Sequence, residues 1–216
     1  MGYSVKEIFL TLQGEGGQTG RVAVFCRFTG CNLWSGREKD RKTALCRFCD
    51  TDFVGTNGTG GGFFNTASEL AQTIAHFWPS SSCLHETPQI PLVVFTGGEP
   101  LLQLDSPLIE AMHQQNFSIA VESNGTLPAP DGIDWLCVSP KANVPLRQKQ
   151  GTELKLVFPQ DQLDPCCFIN FDFHYFWLQP MDGPNRDANL QAAIRYCLSH
   201  PQWRLSLQTH KLIGIP

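Results

Sequence analysis

Leu92-Val93-Val94-Phe95-Thr96-Gly97-Gly98-Glu99-Pro100 is the stretch on which the fold turns. Four apolar residues run through Thr96 into a glycine pair, the pattern of a short strand buried on both faces and stopped by a turn. The same grammar recurs along the chain. Val22 to Phe28 runs into Thr29-Gly30-Cys31, and Ile119 to Val121 meets Glu122-Ser123-Asn124-Gly125. Trp135 to Val138 meets Ser139-Pro140-Lys141. Leu154 to Phe158 and Tyr175 to Leu178 follow, the latter ending in Gln179-Pro180-Met181-Asp182.

Helical candidates separate these runs. Thr66-Ala67-Ser68-Glu69 has capping-box spacing and opens an amphipathic stretch to about Phe77. Pro107 to Gln115 and Asn189 to Ser199 are the next best. Strands alternating with helices predict an α/β fold with a parallel sheet. About six mainly parallel strands fall short of the eight in a closed barrel, so an incomplete, partial TIM-like barrel is expected, its active site at the C-terminal strand ends. The 216 residues fit one domain, 1–216, with a polar insertion at 32–45. Gly55 to Gly62 holds five glycines and is expected to be flexible.

Composition narrows the function. A net charge of −4 and a broken basic run from Arg37 to Lys42 argue against a nucleic-acid surface. No secretory signal is visible, and no apolar run approaches the roughly 18 residues of a membrane span, so the chain reads as cytoplasmic. Nine cysteines is an odd number that disfavours a disulfide framework. Cys26, Cys83, Cys137, Cys166, Cys167 and Cys197 are expected to behave as small core hydrophobes.

The other three cysteines form a pattern. Cys31 is followed after fourteen residues by Cys46-Arg47-Phe48-Cys49. Three thiolates suit an iron–sulfur cube with one iron open to a ligand, whereas closed zinc sites and electron-carrying clusters want four protein ligands. Phe48 would set an aromatic ring beside that ligand. Spacing alone leaves zinc, completed by a histidine or a distant cysteine, equally open.

The glycine pair bears on that choice. Gly97 and Gly98 let backbone approach a ligand closely, and Glu99 offers a carboxylate to an ammonium group. An ordinary turn would use the same residues. A third segment, Leu12-Gln13-Gly14-Glu15-Gly16, precedes the strand carrying Arg27. Gln13 and Glu15 bring hydrogen-bonding and acidic groups, and Arg27 suits a carboxylate through bidentate geometry. The plain alternative makes this segment a turn and Arg27 a surface partner of Glu15.

The three-cysteine pattern together with Gly97-Gly98-Glu99 resembles the radical S-adenosylmethionine enzymes. Adding Gln13-Gly14-Glu15, Arg27, Cys49-Asp50-Thr51 and Gln208-Thr209-His210-Lys211…Gly214-Ile215-Pro216, nearly the whole chain resembles the 7-carboxy-7-deazaguanine synthase family. The wide cysteine spacing departs from the superfamily's usual Cys-x3-Cys-x2-Cys and matches a subset of that family.

The resemblance implies a lyase of queuosine biosynthesis, turning 6-carboxy-5,6,7,8-tetrahydropterin into 7-carboxy-7-deazaguanine and ammonia. It implies a [4Fe-4S] cluster on Cys31, Cys46 and Cys49, S-adenosylmethionine regenerated in each turnover, and Mg2+ on Thr51. Cofactor contacts carry over to Phe48, Gly98, Glu99, Ser139, Pro140, Lys141, Gln179, Pro180, Met181 and Asp182. Substrate contacts carry over to Leu12, Gln13, Gly14, Arg27, Thr96 and Pro216, the last through a free α-carboxylate, with Glu15 added on chemical grounds. No side chain is assigned as catalytic beyond the cluster and cofactor; packing or hydrogen bonding accounts equally well for His210. A homodimer and an electron donor such as flavodoxin or ferredoxin are further implications. Two rival readings are a glycyl-radical activase sharing the cluster and a non-catalytic zinc-binding module.

Overall fold

The computed structural model describes residues 2–79 and 90–216; Cys83, expected in the core, lies outside them. Six strands coincide with the apolar runs: β2 (Val22–Phe28), β4 (Leu92–Gly97), β5 (Ser118–Ser123), β6 (Trp135–Val138), β7 (Gln150–Phe158) and β8 (Asp172–Pro180). Three more complete the sheet, β1 (Tyr3–Leu12), β3 (Gly62–Phe64) and β9 (Trp203–Leu205). Their order is β3-β1-β2-β4-β5-β6-β7-β8-β9. From β2 to β9 every neighbour is parallel, while β1 pairs antiparallel with both β2 and β3. The sheet is therefore mixed and larger than the expected six strands.

The pleat gives the sheet two unlike faces. One carries Val24, Cys26, Phe28, Val93, Phe95, Ile119, Val121, Leu154, Leu156 and Leu178, all buried in one apolar core. Helices α1 (Ala67–His76) and α2 (Ser106–Gln114) add Leu70, Ala71, Ile74, Leu108, Ile109 and Met112 to that core. The other face begins apolar, where Ala23, Leu92, Val94 and Ala120 pack with Phe25 and Trp135. Toward the C-terminal ends of the parallel strands it turns polar, at Arg27, Thr96, Glu122 and Lys155.

Local chemistry starts the helices where expected. Thr66 Oγ1 accepts from Glu69 N at 3.2 Å, and the Glu69 carboxylate accepts from Asn65 N at 2.9 Å. Asp105 caps α2 through Leu108 N at 3.2 Å and also accepts from the Tyr3 hydroxyl at 2.6 Å, tying β1 to the helix. Helix α3 (Arg186–Ser199) follows β8, and α4 (Thr209–Ile213) follows β9.

Two expectations are corrected. The glycine-rich segment 55–62 packs along β1 instead of dangling: Gly58 N donates to Lys6 O at 3.0 Å and Ile8 N to Thr59 O at 2.7 Å. A Cβ on Gly61 would come within 2.2 Å of Lys6 O, so close backbone approach explains the glycine. Cys166 and Cys167 are exposed rather than core, because the 3-10 turn Pro165–Phe168 buries Pro165 and Phe168 and turns both thiols outward. Cys26 and Cys137 are buried as expected, and Cys197 is half-buried. Among the described residues no helix is long and apolar enough to cross a membrane.

Candidate active site

A cavity of about 430 Å³ lies against the polar part of the inner face, within the size range of small-molecule sites. Cys31, just beyond the end of β2, and Cys46 and Cys49 from the irregular segment after it all line this cavity, together with Phe48. All three thiols are free. Among the described residues no three His, Cys, Asp or Glu side chains converge on a single-ion position. The donor set fits a cluster that leaves one metal corner to a ligand.

The glycine pair beside them has a structural cause that the sequence concealed. Gly97, at φ +130°, would place a Cβ 2.2 Å from Phe28 O, and Gly98 would place one 1.9 Å from Gly30 O and 2.8 Å from Cys31 Cβ. The two residues let the ends of β2 and β4 touch, and that contact sets Cys31 against the β4 loop.

Glu99 stands apart from the other named residues. It is fully buried and does not line the cavity. Its carboxylate accepts from Leu101 N at 3.0 Å, Ser123 Oγ at 2.8 Å and Asn124 N at 2.7 Å. Burial pushes its carboxyl above the ordinary value, against the pull of these three donors. It joins the β4 loop to the β5 loop from behind the cavity wall. Pro140 is likewise buried behind the wall, its carbonyl accepting from Gln160 Nε2 at 3.2 Å. Its neighbours Ser139 and Lys141 do line the cavity. Lys141 Nζ donates to Ser139 O and Oγ at 2.6 and 2.7 Å and lies 5.9 Å from the centre of the Phe48 ring. Burial pushes its ammonium below the ordinary lysine value.

The opposite pole is charged. Because β1 is antiparallel to β2, with Leu12 beside Val22, the segment after β1 enters from the end of the sheet away from the cysteines. It carries Gln13, Gly14 and Glu15 to the cavity. Glu15 meets Lys155 Nζ at 2.5 Å, and Glu122 meets the same ammonium at 3.2 Å. Gln13 Nε2 and Thr96 Oγ1 donate to Glu122 at 3.2 and 3.4 Å, and Gln208 Nε2 donates to Glu15 at 2.9 Å. Burial alone would raise the Glu15 carboxyl, but Lys155 overrides it, helped by Gln208 and His210, and the group falls to about 2. Arg27 pairs with Glu7 at 2.8 Å, not with Glu15.

Helix α4 closes one side. Thr209 N and Oγ1 both donate to Gly14 O at 2.9 Å. A Cβ on Gly14 would lie 2.2 Å from His210 Nδ1, so the glycine admits the histidine ring. Lys211 bridges Asp50 at 2.5 Å and Asp182 at 2.6 Å, linking the segment after Cys49 to the end of β8. Lys6 holds Asp52 at 2.9 Å. Both carboxylates flanking Thr51 are thus engaged by lysines, while Thr51 lines the cavity with no side-chain hydrogen bond among the described residues. Gln179, Pro180, Met181, Asp182, Leu12 and Pro216 line it as well.

Sequence reasoning missed Lys155, Glu122 and Glu7. A signal existed for two of them. Lys155 sits between Leu154 and Leu156, and Glu122 follows Ile119-Ala120-Val121, each a lone charge in a buried strand. Such a charge needs a partner or a ligand.

No family model matches the chain. A 7-carboxy-7-deazaguanine synthase of Caulobacter vibrioides is 63% identical over 216 residues, covering 100% of both chains. The synthase of the same name from Bordetella pertussis is 62% identical, again over 100% of both. The crystal structure of QueE from Escherichia coli superposes with a TM-score of 0.70 at 26% identity, covering 96% of this chain and 94% of that one.

Proposed function

This chain belongs to the 7-carboxy-7-deazaguanine synthase family, and on that premise we propose how its cavity performs the reaction. The activity is a radical S-adenosylmethionine lyase reaction of queuosine biosynthesis, converting 6-carboxy-5,6,7,8-tetrahydropterin to 7-carboxy-7-deazaguanine and ammonia. The observation that carries this reading is the meeting of three free thiols and a buried carboxylate–ammonium cluster in one cavity.

Cys31, Cys46 and Cys49 would hold a [4Fe-4S] cluster through their thiolates. Bound there with S-adenosylmethionine, such a cluster would supply the radical chemistry. Gly98, Ser139, Lys141 and Gln179 to Asp182 would line the cofactor's half, together with Phe48. Arg27, fixed by Glu7, offers its remaining guanidinium N–H groups to the substrate carboxylate. Glu15, kept ionised by Lys155, and Glu122, paired with the same ammonium, accept from the amino and ring N–H groups of the pterin's guanine-like edge. Leu12, Gln13, Gly14, Thr96 and Pro216 complete that half. Thr51 offers Mg2+ an oxygen ligand, and substrate and water would supply the rest. The same resemblance supports curvature of the sheet into an incomplete barrel, a homodimer, a cytoplasmic location and a flavodoxin or ferredoxin as reductant.

The test is anaerobic reconstitution followed by incubation with the carboxy-tetrahydropterin, S-adenosylmethionine and a reductant. A brown protein with about four irons per chain that releases 7-carboxy-7-deazaguanine is expected. Colourless protein with stoichiometric zinc would overturn the cluster, and intact cluster without deazaguanine product would overturn the substrate.

A further inference from the structure

The fourteen residues between Cys31 and Cys46 contain a device that the chemistry above leaves unused. Arg41, in the 3-10 helix Glu38–Thr43, sends Nη1 to two carbonyl oxygens at once, Arg47 O and Cys49 O, each at 3.0 Å. Those carbonyls bracket Phe48 and the ligand Cys49. Residues 44–53 form neither helix nor strand, so no ladder is available to hold this backbone.

Arg41 is itself held on two further sides. Its guanidinium lies 4.1 Å from the centre of the Trp34 ring, and Nε reaches both Glu38 oxygens at 2.9 and 2.7 Å. Trp34 is anchored in turn, with Nε1 donating to Arg37 O at 3.2 Å and its ring meeting Phe53 edge-on at 5.7 Å. Leu33 O, one residue earlier, accepts from Leu45 N at 3.1 Å and Cys46 N at 3.3 Å. Leu33, Trp34 and Phe53 are buried yet belong to neither core of the sheet. The insertion and the segment after Cys49 therefore share a small apolar kernel.

We infer that the insertion is a template for the cluster loop, with Arg41 as a positioning residue that holds Phe48 and Cys49 in their ligand-ready backbone before any metal arrives. A planar, always-charged fork is the side chain that can stack on an indole and bind two carbonyls together. A preformed loop loses less freedom when ligands engage, and that preorganisation appears as slower cluster loss. The inference rests on the proposed cluster but concerns residues that touch neither iron nor substrate.

The experiment compares the parent protein with Arg41→Ala and Arg41→Lys after anaerobic reconstitution. Iron per chain and the rate of cluster bleaching by a chelator are recorded, alongside thermal melting of the metal-free proteins. Arg41→Ala is expected to lose its cluster about tenfold faster, the scale typical of groups that orient metal ligands. Arg41→Lys should fall between the two, since an ammonium reaches the carbonyls without stacking as a plane. The metal-free melting temperatures should coincide, because the kernel lies apart from the sheet's cores. Equal bleaching rates would overturn the template, as would a metal-free Arg41→Ala that melts early in proportion to its cluster loss. A parent protein that takes up no iron would instead sink the cluster reading, and this inference with it.

Discussion

Replacing Lys155 by Met tests the charged pole of the cavity most directly. The side chain keeps its length, but two carboxylates lose their cation. Lys155 and Glu15 are 5% and 14% exposed, so solvent cannot stand in for the lost partner. Glu15 sits at about 2 against an ordinary 4.5, a gap equivalent to about 3 kcal/mol. Removing one member of a buried pair typically costs about 3–5 kcal/mol, which agrees. For a chain of this size, about 3 kcal/mol corresponds to a fall of roughly 6–12 °C in melting temperature. The assay is thermal unfolding at pH 7, followed by circular dichroism, on Lys155→Met, Glu15→Gln and the double variant. The double variant should melt above Lys155→Met, because neutralising Glu15 removes part of the uncompensated charge. A Lys155→Met protein that melts within about 1 °C of the parent, or a double variant showing simple addition of losses, would refute this account.

Acid should reveal the same pair from the other side. The folded Glu15 value is depressed, so its stabilisation is present in full well above 4.5 and fades as pH falls toward about 2. The melting difference between parent and Glu15→Gln should shrink over that window, and a difference unchanged down to pH 3 would contradict it. Glu99→Ala should destabilise the fold by roughly 3 kcal/mol or more, since it strands the buried donors on Leu101, Ser123 and Asn124; an unaltered unfolding midpoint would speak against the role given to Glu99. Thr51→Ala should abolish magnesium stimulation of turnover while leaving iron content intact. A normal magnesium response would remove Thr51 from the metal site.

The part of the fold that could be read directly was the part built from continuous apolar runs. All six of those runs are neighbouring parallel strands, because burial on both sides leaves an unbroken signature. Strand β1 escaped notice because Ser4-Val5-Lys6-Glu7-Ile8 mixes polar and apolar residues, and β9 because three residues carry little pattern. The cysteines and loop motifs were legible for a related reason: their chemistry is written in contiguous residues. Lys155 and Glu122 lie 33 positions apart and acquire meaning only when β5 and β7 face one interior. The burial of Glu99 was not legible because two of the donors that satisfy it arrive with the following strand, and no local feature announces Ser123 and Asn124 as its partners.

Lys155 also bears on how the sheet finds its alignment. Its flanking residues Leu154 and Leu156 sit in the apolar core beneath the helices, while the ammonium points the other way. A frame error of a single residue along β7 would push that ammonium into hydrocarbon and swing the two leucines toward Glu15 and Glu122. Neither layer tolerates the exchange. The charge that furnishes the ligand chamber therefore also fixes the register of β7 against β6 and β8.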